Sequence, residues 1–185
     1  LIISYTEKSI DYLTSMLQKA SVSEITSVSQ AGEARRILIN LDFDLCIVNA
    51  PLPDEFGINL ARDIAIKNIS QVILLVKSEL FDEVSSRVEE YGVITIEKPI
   101  NKILFWNALK LALAASKRIK ALREENQKLI DQIEDIRIVD RAKCILISHL
   151  SMTEPEAHRY IEKQAMDLRL PKRKVAEEIL KIYEN

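Results

Sequence analysis

The sequence has little glycine, cysteine, histidine and aromatic content. Its 185 residues include only three glycines, which excludes collagen-like chains, glycine linkers and glycine-rich phosphate-binding loops. Two well-separated cysteines and two histidines supply neither a disulfide framework nor the ligand spacing of a zinc site, so we expect no metal and no cofactor. Cys46 and Cys144 each lie in an apolar run and are predicted to pack as small apolar side chains in a reducing cytoplasm.

Long apolar segments are also absent. The most apolar stretch, residues 103–115, is interrupted by Asn107 and Lys110 and is too short to span about 30 Å of hydrocarbon. No basic segment followed by an apolar one opens the chain, so no secretion signal is predicted. We therefore expect a cytoplasmic protein without a membrane partner.

Charge is distributed unevenly along the chain. Residues 1–116 hold 11 basic and 15 acidic side chains, whereas residues 141–174 hold eight basic and four acidic ones. This local basic excess permits a polyanion as the partner of the C-terminal segment. No Ser/His/Asp or Cys/His set is credible, since both histidines lie in that segment, and we expect no enzyme.

Apolar patterning in residues 1–115 predicts five consecutive strand–helix units. Continuously apolar runs are typical of strands covered on both faces, and right-handed crossovers place helices over each side. We therefore predict a doubly wound, five-stranded parallel α/β sheet of the flavodoxin-like class over residues 1–115. The predicted strands are residues 1–3, 25–28, 45–48, 72–76 and 93–96. The predicted helices lie near residues 9–18, 34–41, 58–66, 81–90 and 101–115.

Residues 116–136 carry apolar side chains at alternating spacings of three and four, which predicts a coiled-coil helix. A buried asparagine at position a favours two strands, so we expect a homodimer with Asn126 paired across its axis. The orientation stays open, because a parallel pair would oppose Arg118 and Arg123. Packing of the stripe back onto its own domain is the alternative. The predicted dimer seam consists of Ile119, Leu122, Asn126, Leu129, Ile133 and Ile136.

Residues 137–185 are predicted to form a three-helix domain. Its first helix continues from the seam, and Thr153 with Glu156 forms a capping box, with Pro155 in the first turn, that opens the second. Pro171 begins the third helix. Small side chains at the expected helix crossings would allow close approach of the three axes, namely Ala142, Ala157, Ala165 and Ala176.

The first domain resembles the receiver domains of two-component response regulators. Lys98-Pro99 after the fifth strand and the loop with Pro53 and Gly57 carry this resemblance. It implies a magnesium-binding pocket with a phosphoryl-accepting aspartate at the end of the third strand, and a cis Lys98–Pro99 bond. This sequence departs from that pattern at most pocket positions. The degenerate pocket comprises Thr6, Glu7, Asn49, Val76 and Lys98.

These departures predict a pseudo-receiver. The Asn49 amide is a poor nucleophile, and Glu7, the only carboxylate after the first strand, would hold Mg²⁺ weakly. Lys98 is expected to bond to Asn49 or to a carbonyl, with a phosphate contact as the alternative. A regulatory protein or a small ligand at the vacated pocket is left open.

Three separated motifs in the last third of the chain, Ala142-Lys143, Ala165-Met166 and Val175-Ala176, give it a second resemblance. Over residues 122–182 the chain is similar to the ANTAR domain, a three-helix RNA-binding module of bacterial transcription antitermination regulators. It departs from the family at Cys144, where glycine is usual, and at His158, where an aromatic residue is usual. The resemblance implies binding of paired RNA hairpins in nascent leader transcripts, which favours read-through by polymerase.

Polar side chains of this segment are the candidates for RNA contact, because sequence-specific RNA recognition uses stacking and hydrogen bonds to splayed bases, and cations neutralise phosphates. Lys143 and the run 172–174 are the strongest candidates, while rim packing or solvation is the alternative for the others. The predicted RNA-contacting residues are Arg141, Lys143, His158, Arg159, Tyr160, Lys163, Gln164, Arg169, Lys172, Arg173 and Lys174.

The favoured hypothesis is a dimeric RNA-binding antiterminator whose receiver domain lacks the phosphoacceptor. The alternative is a phosphorylation- or ligand-gated response regulator that acts through protein contacts or DNA.

Overall fold

The N-terminal part of the chain is built on a five-stranded, all-parallel sheet with the strand order β2-β1-β3-β4-β5. In the computed structural model, which describes residues 1–20, 22, 24–67 and 70–183, this fold confirms the predicted doubly wound α/β class. The second predicted strand is shorter than expected. The strands are β1 (Ile2–Ile3), β2 (Ser27–Val28), β3 (Leu45–Asn49), β4 (Gln71–Lys77) and β5 (Ile94–Lys98).

Helices cover both faces of the sheet, because alternate side chains of the central strands face opposite sides. Cys46 and Val48 of β3 pack into one apolar cluster, and Leu45 and Ile47 pack into the other. The helix predicted over 81–90 ends early in a short 3₁₀ turn, and Gly92 follows it with the left-handed φ of 76°. The helices of this part are α1 (Glu7–Gln18), α2 (Ala31–Asn40), α3 (Ile58–Lys67), α4 (Phe81–Val88) and α5 (Lys102–Leu150).

Two compact units make up the chain, Leu1–Ala121 and Leu122–Asn185, and the single 49-residue helix α5 belongs to both. Asn101 caps this helix, because its side-chain oxygen accepts hydrogen bonds from two backbone N–H groups of the first turn. The boundaries predicted after residues 115 and 136 lie inside α5 and stay predictions.

Asp44, just before β3, holds the last turn of α5 that belongs to the N-terminal unit. Its carboxylate accepts a hydrogen bond from the Ser116 hydroxyl at 3.1 Å and pairs with the Lys120 ammonium at 2.6 Å. The bond from Lys120, followed by that from Ser116, keeps the pKa of Asp44 below its ordinary value. The part of α5 around residues 116–120 is therefore held against the sheet by polar contacts as well as by apolar packing.

The C-terminal unit packs the end of α5 against α6 (Glu154–Leu168) and α7 (Lys172–Tyr183). The predicted capping box is confirmed, since the Glu156 carboxylate accepts hydrogen bonds from the backbone N–H and the hydroxyl of Thr153. Ser151 and Arg169 adopt left-handed φ angles of 54° and 55° at the two turns between helices. The predicted alanines are buried at the crossings. The core consists of Ala142, Leu146, Ala157, Ile161, Ala165, Val175, Ala176 and Ile179.

The prediction for the two cysteines is half wrong. Cys46 is buried in the sheet as expected, but Cys144 is exposed. On a helix, position 144 lies on the opposite side from Ala142 and Leu146, which form the core, so an apolar neighbourhood in sequence does not bury it. Among the described helices none has the length and apolarity to cross a bilayer.

Candidate functional site

The carboxyl edge of the sheet holds the remnant of the predicted receiver pocket. Asn49, the last residue of β3, donates from Nδ2 to the hydroxyl of buried Ser4 at 3.0 Å. Lys98, the last residue of β5, donates from Nζ to Asn49 Oδ1 at 2.9 Å and to the carbonyl of Ala50. This confirms the hydrogen bond predicted for Lys98, and the Lys98–Pro99 peptide is cis as expected.

Asn49 suits this network because an amide both donates and accepts. Its oxygen faces the Lys98 ammonium and its nitrogen faces Ser4, so each polar partner is satisfied within the chain. Burial, with a smaller contribution from Lys77, lowers the pKa of Lys98. The ends of β1, β3 and β5 are thus joined by hydrogen bonds within the chain.

The other predicted pocket residues do not join this network. The Thr6 hydroxyl donates to Ser9 at the start of α1, and Glu7 is exposed in the first turn of that helix. Val76 is buried in the apolar cluster on one face of the sheet. Ser4, which the predicted set lacks, takes part instead, and its place directly after a buried strand was the signal that could have identified it.

The loop after β3 is tied to α2 by contacts that the sequence did not predict. The carboxylate of Asp54 accepts hydrogen bonds from the backbone N–H groups of Ala31 and Gly32 at 2.9 and 2.8 Å, which lowers its pKa. Asp54 therefore caps α2 from a position 23 residues later. Arg35 of α2 pairs with Glu55 of the same loop at 2.8 Å.

We expect that no phosphoryl group is transferred to this chain from a small phosphodonor in the presence of Mg²⁺. An amide at position 49 offers no carboxylate nucleophile, and Ser4 offers no charge to bind the ion. Intact-mass spectrometry checks this, with the Ser4→Asp/Asn49→Asp variant as the control that restores carboxylates at the ends of β1 and β3. A stable phosphoryl adduct on the unsubstituted chain would contradict the expectation.

In the C-terminal unit, Lys143 is largely enclosed by carboxylates. Its ammonium lies 2.8 Å from Asp140 and 2.9 Å from Glu154, and its side chain is only 16% exposed. These hydrogen bonds, first Asp140 and then Glu154, raise its pKa. Lys143 therefore joins α5 to the start of α6, and its charge is compensated within the unit.

The basic run at the start of α7 is paired as well. Arg173 contacts Asp135 of α5 at 2.8 Å and Glu177 at 2.9 Å, and Lys174 also contacts Glu177. Hydrogen bonds from Lys174 and Arg173 lower the pKa of Glu177 to about 2. The stabilisation from this cluster is therefore complete above the ordinary carboxyl range and is lost as the pH falls towards about 2.

Glu162 of α6 contacts two further residues of the predicted RNA-contacting set. Its carboxylate binds the Lys172 ammonium and lies 3.3 Å from His158 Nε2. Lys172 lowers the pKa of Glu162 most strongly. The side chains of His158, Glu162 and Lys172 are each about half exposed. The two pairs therefore form a rim of mixed charge at the surface between α6 and α7.

One face of α6 carries predicted residues without such close ion pairs, although, after the hydrogen bonds of the capping box, Arg159 helps to lower the pKa of Glu156. Arg159 and Lys163 are exposed and one turn apart, and within the described residues neither makes a salt bridge. Tyr160, which is exposed, and Gln164, which is half-buried, lie beside them with the same spacing. This "α6 face", defined as these four residues, combines two cations with an aromatic ring and an amide.

Arg169 and Arg141 are the remaining predicted cations, and they too lie outside the α6 face. Arg169 is exposed and ends α6 in the left-handed conformation, where its backbone N–H closes the last turn. Arg141 is exposed on α5 and has a partner within the chain. The predicted set is therefore divided among α5, α6 and α7 rather than gathered in one cluster.

Comparison with known proteins agrees with this architecture. Residues 127–180 match the ANTAR domain family. The transcriptional regulatory protein PdtaR of Mycobacterium tuberculosis is 29% identical over 168 residues, which covers 91% of this chain and 82% of that protein. The aliphatic amidase regulator of Pseudomonas aeruginosa is 30% identical over 93 residues, 50% of this chain and 46% of that one.

Solved structures extend the comparison to the N-terminal unit. A signal receiver domain from Pseudomonas fluorescens has a TM-score of 0.55 and 22% identity, covering 66% of this chain and 89% of that chain. A two-component AraC regulator from Clostridium phytofermentans has a TM-score of 0.58 and 18% identity, covering 65% and 95%. The N-terminal unit therefore has the receiver fold.

Together, the receiver fold and the ANTAR match define a class of regulatory proteins. Residues 127–180 match an ANTAR domain, the N-terminal unit has the receiver fold, and the chain is similar to ANTAR-domain regulators over most of its length. These similarities point to transcription regulation.

Proposed function

We propose that this protein is a dimeric, RNA-binding transcription antiterminator that works without phosphorylation of its receiver domain. It binds paired hairpins in nascent leader transcripts, favours read-through and has no catalytic activity of its own. The observation that carries the proposal is the ANTAR match over the unit that also holds the basic residues. Access to nascent transcripts requires a cytoplasmic protein.

The α6 face is the leading candidate for RNA contact. Arg159 and Lys163 are exposed and make no salt bridge within the described residues, although Arg159 lies near enough to Glu156 to add to the lowering of that carboxyl's pKa by its capping-box hydrogen bonds. Their charged groups can therefore reach phosphates. Tyr160 offers a ring for stacking on an unpaired base, and Gln164 offers a donor and an acceptor for a base edge. These four side chains supply the affinity and the base selectivity that recognition of a hairpin loop needs.

The paired cations have a second role in the proposal. Lys143 and Arg173 tie α5 to the starts of α6 and α7, so they position the α6 face more than they bind RNA. Lys172 and Lys174 keep about half of their surface exposed and add positive potential at the rim. Their substitution would weaken RNA binding less than substitution on the α6 face.

The exposed seam supports the proposed dimer. Leu122, Leu129, Ile133 and Ile136 are all more than half exposed on α5, which is costly for apolar side chains unless a partner covers them. This exposure favours pairing with a second copy over packing of the stripe onto its own domain. Two ANTAR domains in one dimer match two hairpins in one leader.

Ile130 widens this exposed surface beyond the predicted seam. It lies at heptad position e and is half exposed, so the apolar stripe includes a, d and one e position here. The heptad pattern alone did not indicate its role.

The proposal is tested by measuring RNA binding of two double variants that lose the same positive charge at different places. We expect Arg159→Ala/Lys163→Ala to weaken binding of a hairpin RNA by about tenfold or more and to reduce the slope of log K against log salt by about one to two. The control, Arg87→Ala/Lys181→Ala, removes the same charge from exposed side chains that lie outside the predicted RNA contacts and pair with Glu83 and Glu178. Filter binding with hairpin RNA, and with duplex DNA of equal charge, measures the effect.

Two outcomes would contradict the proposal. Equal losses in both double variants would mean that the α6 face contributes only general charge. Equal affinity of the unsubstituted dimer for duplex DNA and for hairpin RNA would contradict specific recognition of RNA.

A further inference from the structure

Met166 is an exposed apolar side chain on the side of α6 that faces away from the core. It is 78% exposed, whereas Met16 is buried and Met152 is half-buried. On a helical projection Met166 lies about 100–180° around α6 from the two alanines and the isoleucine by which this helix enters the core of the C-terminal unit. Single exposed apolar side chains are ordinary on protein surfaces, so the neighbours of Met166 decide what it does.

Met166 continues a line that contains the two cations of the α6 face. Arg159 and Lys163 precede it by seven and three residues, which places the three side chains within about 60° of one another around the helix. The line is about 10 Å long from its first to its last Cα atom. Within the described residues neither cation makes a salt bridge, so the line combines positive charge with apolar surface.

Three carboxylates of α6 flank this line, and two of them already have partners. Glu162 binds the ammonium of Lys172, and Glu156 takes part in the capping box at the start of the helix. Asp167 is exposed and lies about 100° around the helix from Met166, where its carboxylate can accept a hydrogen bond from the amino group of a base. The carboxylates thus leave the positive groups of the line accessible to a polyanion.

A hairpin loop offers the two kinds of surface that match this line. Its phosphates match the guanidinium and ammonium groups, and its unpaired bases expose aromatic faces that a duplex stem keeps stacked. A methionine side chain is flexible, its thioether makes favourable contacts with aromatic rings, and methionine is among the apolar side chains that proteins insert between bases. The line also lies within residues 127–180, which match the ANTAR domain, so RNA is the polyanion that suits it.

We propose that Met166 packs against an unpaired base in the loop of a bound hairpin and makes binding depend on that base. This inference rests on the proposed RNA binding and deepens it, because it separates two kinds of contact on one side of α6. Arg159 and Lys163 supply affinity that falls with salt, whereas Met166 supplies affinity that depends on the loop sequence and involves no charge.

The experiment measures binding of the full chain to a hairpin RNA that the unsubstituted protein selects from a pool with a randomised loop. Met166→Ala should weaken binding by about three- to tenfold and leave the slope of log K against log salt unchanged, because no charge is lost. The control Ile182→Ala truncates a side chain that is 68% exposed on α7 of the same unit, and it should bind like the parent. Circular dichroism verifies that both variants keep the parent helicity.

Abasic substitutions in the loop test whether the contact is made to a base. At one loop position, removal of the base should weaken binding by the parent and abolish the difference between the parent and Met166→Ala, while the difference persists at the other positions. A loss that is the same at every abasic position would assign Met166 a structural role and overturn the inference.

Comparison with the double variant of the α6 face separates this inference from the function on which it rests. If Arg159→Ala/Lys163→Ala weakens binding and Met166→Ala does not, Met166 is no RNA contact and the inference is overturned, while the proposed RNA binding stands. If the unsubstituted chain selects no hairpin from the pool, both fail.

Discussion

A chain carrying Leu129→Glu and Ile133→Glu is expected to be monomeric and to bind a two-hairpin leader RNA about 100-fold more weakly than the parent. The two side chains lie about one turn apart on the exposed seam of α5, where four carboxylates per dimer would be buried against each other. Loss of the dimer makes the second hairpin a separate binding event. Tethered modules gain roughly 10²–10⁴ in affinity over single ones, and that gain disappears.

Light scattering and RNA titration check this expectation together. Gln127→Glu is the control, because it adds a carboxylate on the other side of the same helix. Binding of a single isolated hairpin should be nearly unchanged in the double variant, since the α6 face is intact. A double variant that remains dimeric would exclude the seam as the dimer contact, and undiminished binding of the two-hairpin RNA by a monomer would exclude paired recognition.

Leu146→Ala is expected to unfold the C-terminal unit while the N-terminal unit stays folded. Leu146 is 1% exposed and is one of the largest side chains in a core that consists largely of alanine, valine and isoleucine. Truncation of a buried leucine costs about 2–5 kcal/mol. A core of this size rarely supplies more than about 3–5 kcal/mol, so the loss removes most of its stability.

The neighbouring residue provides the matched control. Ile147 is 37% exposed, so Ile147→Ala removes a similar apolar group with a much smaller effect. Hydrogen exchange measured by mass spectrometry should show loss of protection in α6 and α7 for Leu146→Ala alone, with the peptides of the sheet unchanged. Intact protection of α6 and α7 in that variant would show that the core tolerates the cavity.

Local signals in the sequence predicted most of the architecture. Runs such as Val72–Val76 are continuously apolar because parallel strands are covered on both faces, and this predicted the number of strands and their parallel direction. The capping box of Thr153 and Glu156 depends on residues three apart, and the spacing therefore located the start of α6. Patterns with a short period were sufficient for these elements.

Contacts between distant residues were not predictable in the same way. The sequence pattern indicated Lys143 as an RNA contact, yet its partner Glu154 lies 11 residues away across a turn. Asp54 caps α2 from another loop, and no periodicity indicates that pairing.

The Lys98 contact has a mechanical consequence for the long helix. Lys98 ends β5 only four positions before Lys102 begins α5, and its ammonium is fastened to Asn49 and Ala50 at the end of the central strand β3. A force along α5 is therefore transmitted to the central strand β3 as well as to the edge strand β5. A molecule that competes for the Asn49 amide would loosen the anchorage of the helix at its very first turn.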